Sequence, residues 1–414
     1  FLCLIFGTGR TQKIEAAVQN VPESLEEESR LDTVGTDQET ERAAVREKKG
    51  QQEKEAGDTE TDQAAAAQDE LLAELDFDAI QQEVDSLLSS QQFAFAGTVR
   101  SLLQDGDPFR IFRAGNAVLS CAKTAFLAQK GLMKELFLLV LAGAVLGSFS
   151  SLFEGKQVRD ASFYMVYLLA LALILKNFQS SGENLKAVIT SLVAFMRILT
   201  PSYYLAAAAA GGASSAVMFY QMLLLVILAV EKLLLALVLP MIHIYLLIAL
   251  VNDLSGEEIL SHMTELLETC VNGLLKSSLG VLVGMQMIRN LIAPALDSLR
   301  QMALWRTAGM IPGIGNAVNA VTELVAGSAV LIRNCFGVTA MLVLLAAGMV
   351  PAVQLLVSGL SFRLLAAAAQ PVSDKRIAGC LAAAGKGYAM LLRLLLTVEV
   401  LFLLTIAILA GTFS

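Results

Sequence analysis

Charged residues inside apolar segments are the part of this sequence with the most potential for chemistry. The run Ala216–Val251 is built overwhelmingly from Leu, Val, Ile, Ala and Met, yet it contains Glu231, Lys232 and His243. A charge near the centre of a bilayer costs at least about 2.5 kcal/mol, so such residues normally face a bundle interior, water or another subunit. The pattern therefore favours either an ion or substrate path or a pairing site between helices or subunits.

Other charges lie in or beside apolar runs. Arg197 precedes the run, and the last apolar segment adds Lys386, Arg393 and Glu399. Neighbouring residues of a helix point about 100° apart, so Glu231 and Lys232 share a face only in part and need other partners.

Residue patterns for catalysis or metal binding are not apparent in the sequence. It contains no Ser/His/Asp set and no carboxylate pair, and His243 has no second histidine beside it. The cysteines are odd in number and widely spaced, which supports neither a disulfide framework nor a zinc site: Cys3, Cys121, Cys270, Cys335 and Cys380. We therefore expect neither an enzyme nor a protein with a cofactor or metal.

The helices that carry these charges are predicted to lie in a membrane. The chain is 56% hydrophobic and 16% charged, with a mean hydropathy of +0.63, which is typical of a polytopic membrane protein. As a helix, Ala216–Val251 would be roughly 54 Å long, more than one crossing of a bilayer core of about 30 Å. It must tilt, break or turn back. We expect an all-α fold with these apolar segments: Leu132–Phe153, Ala161–Phe178, Leu185–Leu199, Ala216–Val251, Val271–Ile292, Gly327–Phe362 and Gly387–Ala410.

The first third of the chain differs from the rest. Residues 1–10 begin with an apolar stretch that is typical of the remnant of a signal sequence or anchor. Residues 11–68 form an acidic segment with few large apolar residues, so we predict disorder. Residues 69–131 combine amphipathic helical spacing with basic residues, which predicts a helical region outside the cytoplasm or on the membrane surface. It would pack on the protein itself or dock a partner.

Two parts of the membrane region resemble each other. Pro201 and Pro240 are 39 positions apart, as are Pro312 and Pro351. After first membrane helices at residues 132–200, we therefore predict an internal repeat, with copy one at residues 201–292 and copy two at residues 312–411. Proline removes a backbone donor and clashes with the preceding turn, so we expect broken or hairpin transmembrane helices, with breaks at Pro240 and Pro351.

Two glycine-containing segments suggest turns and close packing. Pro312, Gly313 and Gly315 resemble part of a phosphate-binding loop, but neither a preceding strand nor a GK[ST] sequence accompanies them, so a tight turn is the better account. Gly211 and Gly212 lie within a run of small residues, Ala206–Ser214, that favours close helix–helix contact.

The longest distinctive sequence opens with Met310-Ile-Pro-Gly-Ile-Gly-Asn316 and continues through a small-residue helix to Arg333-Asn334 and Gly337. Together with Gln370-Pro371 ahead of the last segment, it resembles the stage III sporulation protein AE family of endospore-forming bacteria. The similarity covers roughly residues 69–410.

The resemblance implies a multi-pass, permease-like subunit of the channel-like complex between mother cell and forespore, sited in the mother-cell membrane around the forespore. The implied partners are the other membrane subunits of the same sporulation complex and the forespore-side channel protein, in an oligomeric assembly in lipid without nucleic acid. The subunit would be a scaffold or export-gate element. The rival hypothesis is a secondary transporter that uses the intramembrane charges for ion coupling.

Overall fold

The computed structural model describes residues 76–88, 93–105, 115–150, 156–209, 214–255, 260–308 and 315–411. These residues belong to one compact unit, Asp62–Ser414. The elements within these ranges are helical: α1 Phe77–Leu87, α2 Phe95–Asp105, α3 Gly115–Ser150, α4 Lys156–Ala209, α5 Ser214–Leu233, a π-helical turn Leu234–Val238, α6 Leu239–Ser255, α7 Ser261–Ala308, α8 Gly315–Ala369 and α9 Lys375–Gly411.

The chain is a multi-pass membrane protein. Within the described residues, five stretches are long and apolar enough to cross a bilayer: Phe163–Tyr203, Leu224–Ser255, Ser261–Met285, Gly327–Ala369 and Lys375–Ala407. This agrees with the all-α, polytopic prediction. The internal repeat stays a prediction, although each proposed copy holds a long apolar helical stretch, a short linker and a second helix.

Helix α4 joins two segments that the sequence analysis treats as separate. Ala161–Phe178 and Leu185–Leu199 lie on one helix of 54 residues, which is about 80 Å long. The polar residues between the two segments interrupt hydrophobicity but not helix formation, because Gln, Glu and Lys are good helix formers.

Neither proline ends its helix. Before Pro240 the chain makes a π-helical turn, in which the N–H of Leu239 bonds the carbonyl of Leu234, and α6 then continues. Helix α8 runs without interruption through Pro351, so the break predicted there is wrong. In membrane helices, packing against neighbours and local π turns satisfy the backbone groups that proline frees.

The last helix lies at the centre of the bundle. Helix α9 packs against α4, α5, α6, α7 and α8, and most closely against α8. Most of its buried side chains are apolar, among them Leu381, Leu391, Leu394, Leu395, Val398 and Phe402. Because α9 contacts five other elements of the bundle, it sets their positions along the bundle relative to one another.

The amphipathic helices α1 and α2 form a hairpin that Gln81 holds closed. Its Nε2 donates to the carbonyl of Phe93 at 2.7 Å, and its Oε1 accepts from the N–H of Phe95 at 2.8 Å. One side chain thereby satisfies two backbone groups in the connection, and Asp76 caps α1 by accepting from the N–H of Ala79.

This hairpin packs on the bundle itself. Phe336 of α8 lies 5.1 Å from Phe95 and 6.1 Å from Phe77 between ring centroids. It is also 6.1 Å from Tyr203 of α4, so four rings join α1, α2, α4 and α8. Of the two alternatives for this region, packing on the protein itself is the one that the described residues adopt.

Several predictions concern residues outside the described ranges. They include the signal or anchor remnant at residues 1–10, the acidic segment at 11–68, and Gly211, Gly212, Pro312 and Gly313. Gly315 is the first residue of α8.

Candidate functional site

A buried polar and aromatic junction joins four helices around Tyr388. The Tyr388 side chain of α9 is fully buried, and its hydroxyl accepts a hydrogen bond of 2.6 Å from Nδ2 of Asn177 on α4. The Ser181 hydroxyl, one turn further along α4, lies 3.2 Å from the same oxygen. A spacing of four residues places Asn177 and Ser181 on one face of α4, so both reach the same partner.

Aromatic rings surround these hydrogen bonds. Phe178 of α4 meets Tyr388 edge-on at 5.2 Å and His243 of α6 edge-on at 5.3 Å. Phe362 of α8 stacks on Tyr388 at 5.3 Å with an interplanar angle of 17°. Offset stacked and edge-to-face rings attract each other beyond the area that they bury, so the junction binds α4, α6, α8 and α9 together. We call these residues the Tyr388 junction: Asn177, Phe178, Ser181, His243, Phe362 and Tyr388.

His243 is hydrogen-bonded to its own helix. Nδ1 lies 2.9 Å from the carbonyl oxygen of Leu239. A carbonyl only accepts, so Nδ1 donates this hydrogen bond. The ring is therefore held by its own helix, and Nε2 points towards the backbone of α4 at Gly182.

Two glycines make room for this ring packing. A Cβ at Gly182 would lie 2.6 Å from both Cε1 and Nε2 of His243. A Cβ at Gly387 would lie 2.9 Å from Cε2 of Phe178. Both positions are helical, so the glycines serve close approach between helices, as small residues do in membrane bundles.

The geometry of the junction suits packing rather than reaction. Asn177, Ser181 and Tyr388 hydrogen-bond one another, and His243 bonds its own helix. The described part of the chain contains no group of three His, Cys, Asp or Glu residues able to hold a metal ion. A satisfied buried network rigidifies and specifies the packing around it.

We expect Tyr388→Phe to destabilise the folded protein by about 0.5–1.5 kcal/mol, because the half-buried Asn177 amide loses its acceptor while the ring is kept. Thermal unfolding of the purified protein in detergent would measure the effect. Tyr164→Phe on α4 is the control, since that tyrosine is 45% exposed. Equal melting temperatures for the two variants would contradict the role given to the hydroxyl.

The charged pair predicted in the long apolar run lies at the end of α5. Glu231 is half-buried, whereas Lys232 and Arg197 of α4 are exposed. Arg197 and Lys232 both interact electrostatically with Glu231. The neighbourhood of Glu231 therefore includes two basic residues, one of them on another helix.

Arg393 and Glu399 have separate surroundings on α9. Arg393 is exposed, and its Nη1 donates to Oδ1 of Asn272 on α7 at 3.0 Å. Glu399 is only 6% exposed, and its carboxyl group occupies the space where a Cβ of Gly348 on α8 would lie. Glu231, Arg393 and Glu399 thus each have a neighbour on a different helix, namely α4, α7 and α8.

Sequence reasoning found His243 but missed the residues around it. Sequence patterns do not single out Asn177, Ser181 and Tyr388. The usable signal is that Asn177 and Ser181 are four positions apart in the polar stretch between two apolar segments. The close glycines Gly385 and Gly387 beside Tyr388 were a second signal.

Comparisons with known proteins converge on one family. The family model described as stage III sporulation protein AE matches residues 93–412. Over 291 residues the chain is 22% identical to the stage III sporulation protein AE of Bacillus subtilis (strain 168), covering 70% of this chain and 73% of that protein. No solved structure matches the chain.

Proposed function

Because the chain belongs to the stage III sporulation protein AE family, and so is a membrane protein involved in sporulation, we propose a role for it in a larger complex. It acts as a non-enzymatic integral subunit of the channel-like complex between mother cell and forespore during endospore development. Within that complex it is a scaffold or export-gate element.

The observation that carries this proposal is the separation of the intramembrane charges. Glu231 interacts electrostatically with Arg197, Arg393 binds Asn272, and Glu399 packs on Gly348. An ion-coupling site needs its charged groups to converge on one ion. Charges that each engage a different helix instead suit a protein that is held rigid and assembled with others.

The exposed apolar surface supports assembly in a membrane. Met165, Met222, Leu225 and Met287 are each at least 60% exposed. Such side chains require lipid or another protein chain. We place the protein in the mother-cell membrane around the forespore, with the other membrane subunits of the complex and the forespore-side channel protein as partners.

We also propose that residues 201–292 and 312–411 arose by duplication. The common order of a long apolar helical stretch, a linker and a second helix supports this. Internal repeats are frequent in membrane proteins that enclose a path.

A secondary transporter is the second candidate, and Glu399 is the residue that favours it. A carboxyl group this deeply buried among apolar side chains is uncommon and marks proton or ion paths in many membrane proteins. The transporter hypothesis requires that Glu399 exchanges a proton or ion during each cycle.

Three substitutions separate the two candidates: Glu231→Gln, Lys232→Gln and Glu399→Gln. Each removes a charge and keeps the approximate shape of the side chain. We expect each variant to accumulate normally, to copurify with the partner subunits and to support spore formation, because none removes the packing that assembly needs. Heat-resistant spore counts and copurification from sporulating cells measure these outcomes. Loss of spores with normal level and assembly would favour the transporter and refute the scaffold.

A further inference from the structure

The exposed face of α4 changes its chemistry partway along the helix. Successive residues of a helix are rotated by about 100°, so residues seven apart lie on nearly the same face. One exposed face of α4 begins with apolar residues and continues with mainly polar ones: first Met165, Leu169 and Ala172, then Lys176, Glu183, Thr190 and Arg197. The face is therefore apolar for its first turns, as lipid contact requires, and polar for about 32 Å from Lys176 to Arg197.

The polar face is directed away from the bundle. The opposite face of α4 is buried and apolar at Phe178, Leu185, Ile189 and Met196. The Gln179 side chain donates to Glu183 at 3.1 Å, and the Thr190 hydroxyl donates to the carbonyl of Lys186 at 2.9 Å. These polar groups bond within α4 rather than to a neighbouring helix.

Contacts along the bundle show which residues share a height. Arg376 lies over Phe163 and Asn177 bonds Tyr388, so α4 and α9 run in the same direction and keep this register. Twelve residues beyond this hydrogen bond, α4 reaches Ile189 and α9 reaches Val400, so these two residues lie at the same level along the bundle.

Helix α7 shares this direction. Leu260, just before it, bonds Asn252 at the end of α6, where the neighbouring Asp253 lies against Gly379 of α9. Further along, Arg393 bonds Asn272. Nine residues beyond that bond, α7 reaches Val281, at the height of α4 near Thr190.

At the height where α4 is polar, the surface is apolar elsewhere. Val400 of α9 is 47% exposed and Val281 of α7 is 53% exposed. If the bundle were surrounded by water at this level, these apolar side chains would be exposed to water. If lipid surrounded the whole level, Lys186 and Arg197 would face hydrocarbon, where each charge is costly. Lipid on the side of α7 and water on the side of α4 satisfy both sets of residues.

We propose that the face of α4 from Lys176 to Arg197 lines a water-filled passage at membrane depth. Its far wall is a second copy of the chain, because one helix face encloses nothing and closed rings of identical subunits are the common solution. This inference rests on the proposed function as a subunit of an oligomeric channel-like complex.

The charges of this face indicate which solutes the passage admits. On α4 itself, Lys176, Lys186 and Arg197 stand against Glu183. Helix α5 adds Glu231 and Lys232 near Arg197, so basic residues outnumber acidic ones by two. Basic side chains along a pore favour anions. The passage therefore takes small anionic or polar solutes in preference to cations.

Cysteine scanning tests the passage in the assembled complex in native membranes. The five native cysteines are first replaced, and partner copurification confirms assembly of that background. Ser180→Cys and Thr190→Cys report on the polar face of α4. Leu168→Cys reports on the apolar surface earlier on α4, and Val281→Cys reports on the apolar surface of α7 at the level of Thr190. Each variant is treated with an anionic or a cationic membrane-impermeant methanethiosulfonate, and the rate of reaction measures access from water. In a separate sample the cysteine is labelled with a fluorophore, and quenching by nitroxide lipids measures exposure to lipid.

We expect the cysteines at 180 and 190 to react with the water-soluble reagents, and the anionic reagent to react about tenfold faster than the cationic one. Lys186→Glu should reduce that preference at position 190. The cysteines at 168 and 281 should resist both reagents and be quenched by nitroxide lipid.

Three outcomes would overturn the passage. Equal aqueous reactivity at 190 and 281 would place this level outside the membrane. Protection of 190 from both water and lipid would make the polar face a protein contact, and quenching at 190 would make it lipid-exposed. Because partner copurification is scored separately on the same variants, failure of the passage is distinguishable from failure of the proposed function.

Discussion

Valine in place of Gly182 is expected to destabilise the helical bundle by about 1–3 kcal/mol or more, because overpacking a filled interface forces backbones and side chains to shift. The first side-chain carbon would lie 2.6 Å from two atoms of the His243 ring. That ring has little room to move, since Nδ1 is bonded to Leu239 and Phe178 packs on it. Thermal unfolding in detergent and the yield of purified protein measure the effect.

Two further variants test the steric explanation. Gly280→Val is the matched control, since a Cβ at this α7 glycine meets nothing within 4 Å. It should change stability far less than the same substitution at Gly182. Adding His243→Ala to Gly182→Val removes the obstructing ring, so the double variant should recover part of the lost stability. A double variant less stable than Gly182→Val alone would show that the clash with His243 is not the cause.

Phe336→Ala is expected to cost about 3–5 kcal/mol and to release the α1–α2 hairpin from the bundle. Phe336 is fully buried and is the ring that contacts Phe77, Phe95 and Tyr203 together. Without it, the hairpin loses its aromatic contact with α8. Limited proteolysis should then cleave the hairpin region earlier than in the unmodified protein, while the helices of the bundle remain protected.

The control for this prediction is Phe126→Ala on α3, which truncates an aromatic ring that is 55% exposed. It should leave both stability and the protease pattern close to those of the unmodified protein. If Phe336→Ala lowers stability without exposing the hairpin, other contacts hold the hairpin in place and the aromatic cluster is not its anchor.

Hydrophobic periodicity was sufficient to predict the helices but not their continuity. Every predicted apolar segment overlaps a helix, because a membrane segment must satisfy its backbone hydrogen bonds internally and a helix does so. The break predicted at Pro351 failed because the surrounding helices bury this proline within a continuous α8. At Pro240 a π-helical turn takes the place of a break. Local rules describe the strain of proline, whereas the neighbours decide how it is accommodated.

The candidate site was only partly visible in the sequence. His243 stood out as a titratable residue in an apolar run, but its partner rings come from distant parts of the chain. Asn177 and Tyr388, which form the central hydrogen bond, are 211 positions apart. Single-sequence patterns report spacing along one helix, so they cannot show which faces of different helices meet.

By itself the sequence determined the class of this protein: an all-α membrane protein with charges placed inside apolar segments. Composition and periodicity suffice for this because each helix satisfies its own backbone within the bilayer. Only the tertiary structure decided the surroundings of the charges: Glu231 interacts electrostatically with Arg197, Arg393 bonds Asn272 and Glu399 packs on Gly348. It also showed that the polar face of α4 points away from the bundle. These outcomes depend on how helices pack against α9, and packing is set by contacts between residues far apart in the chain.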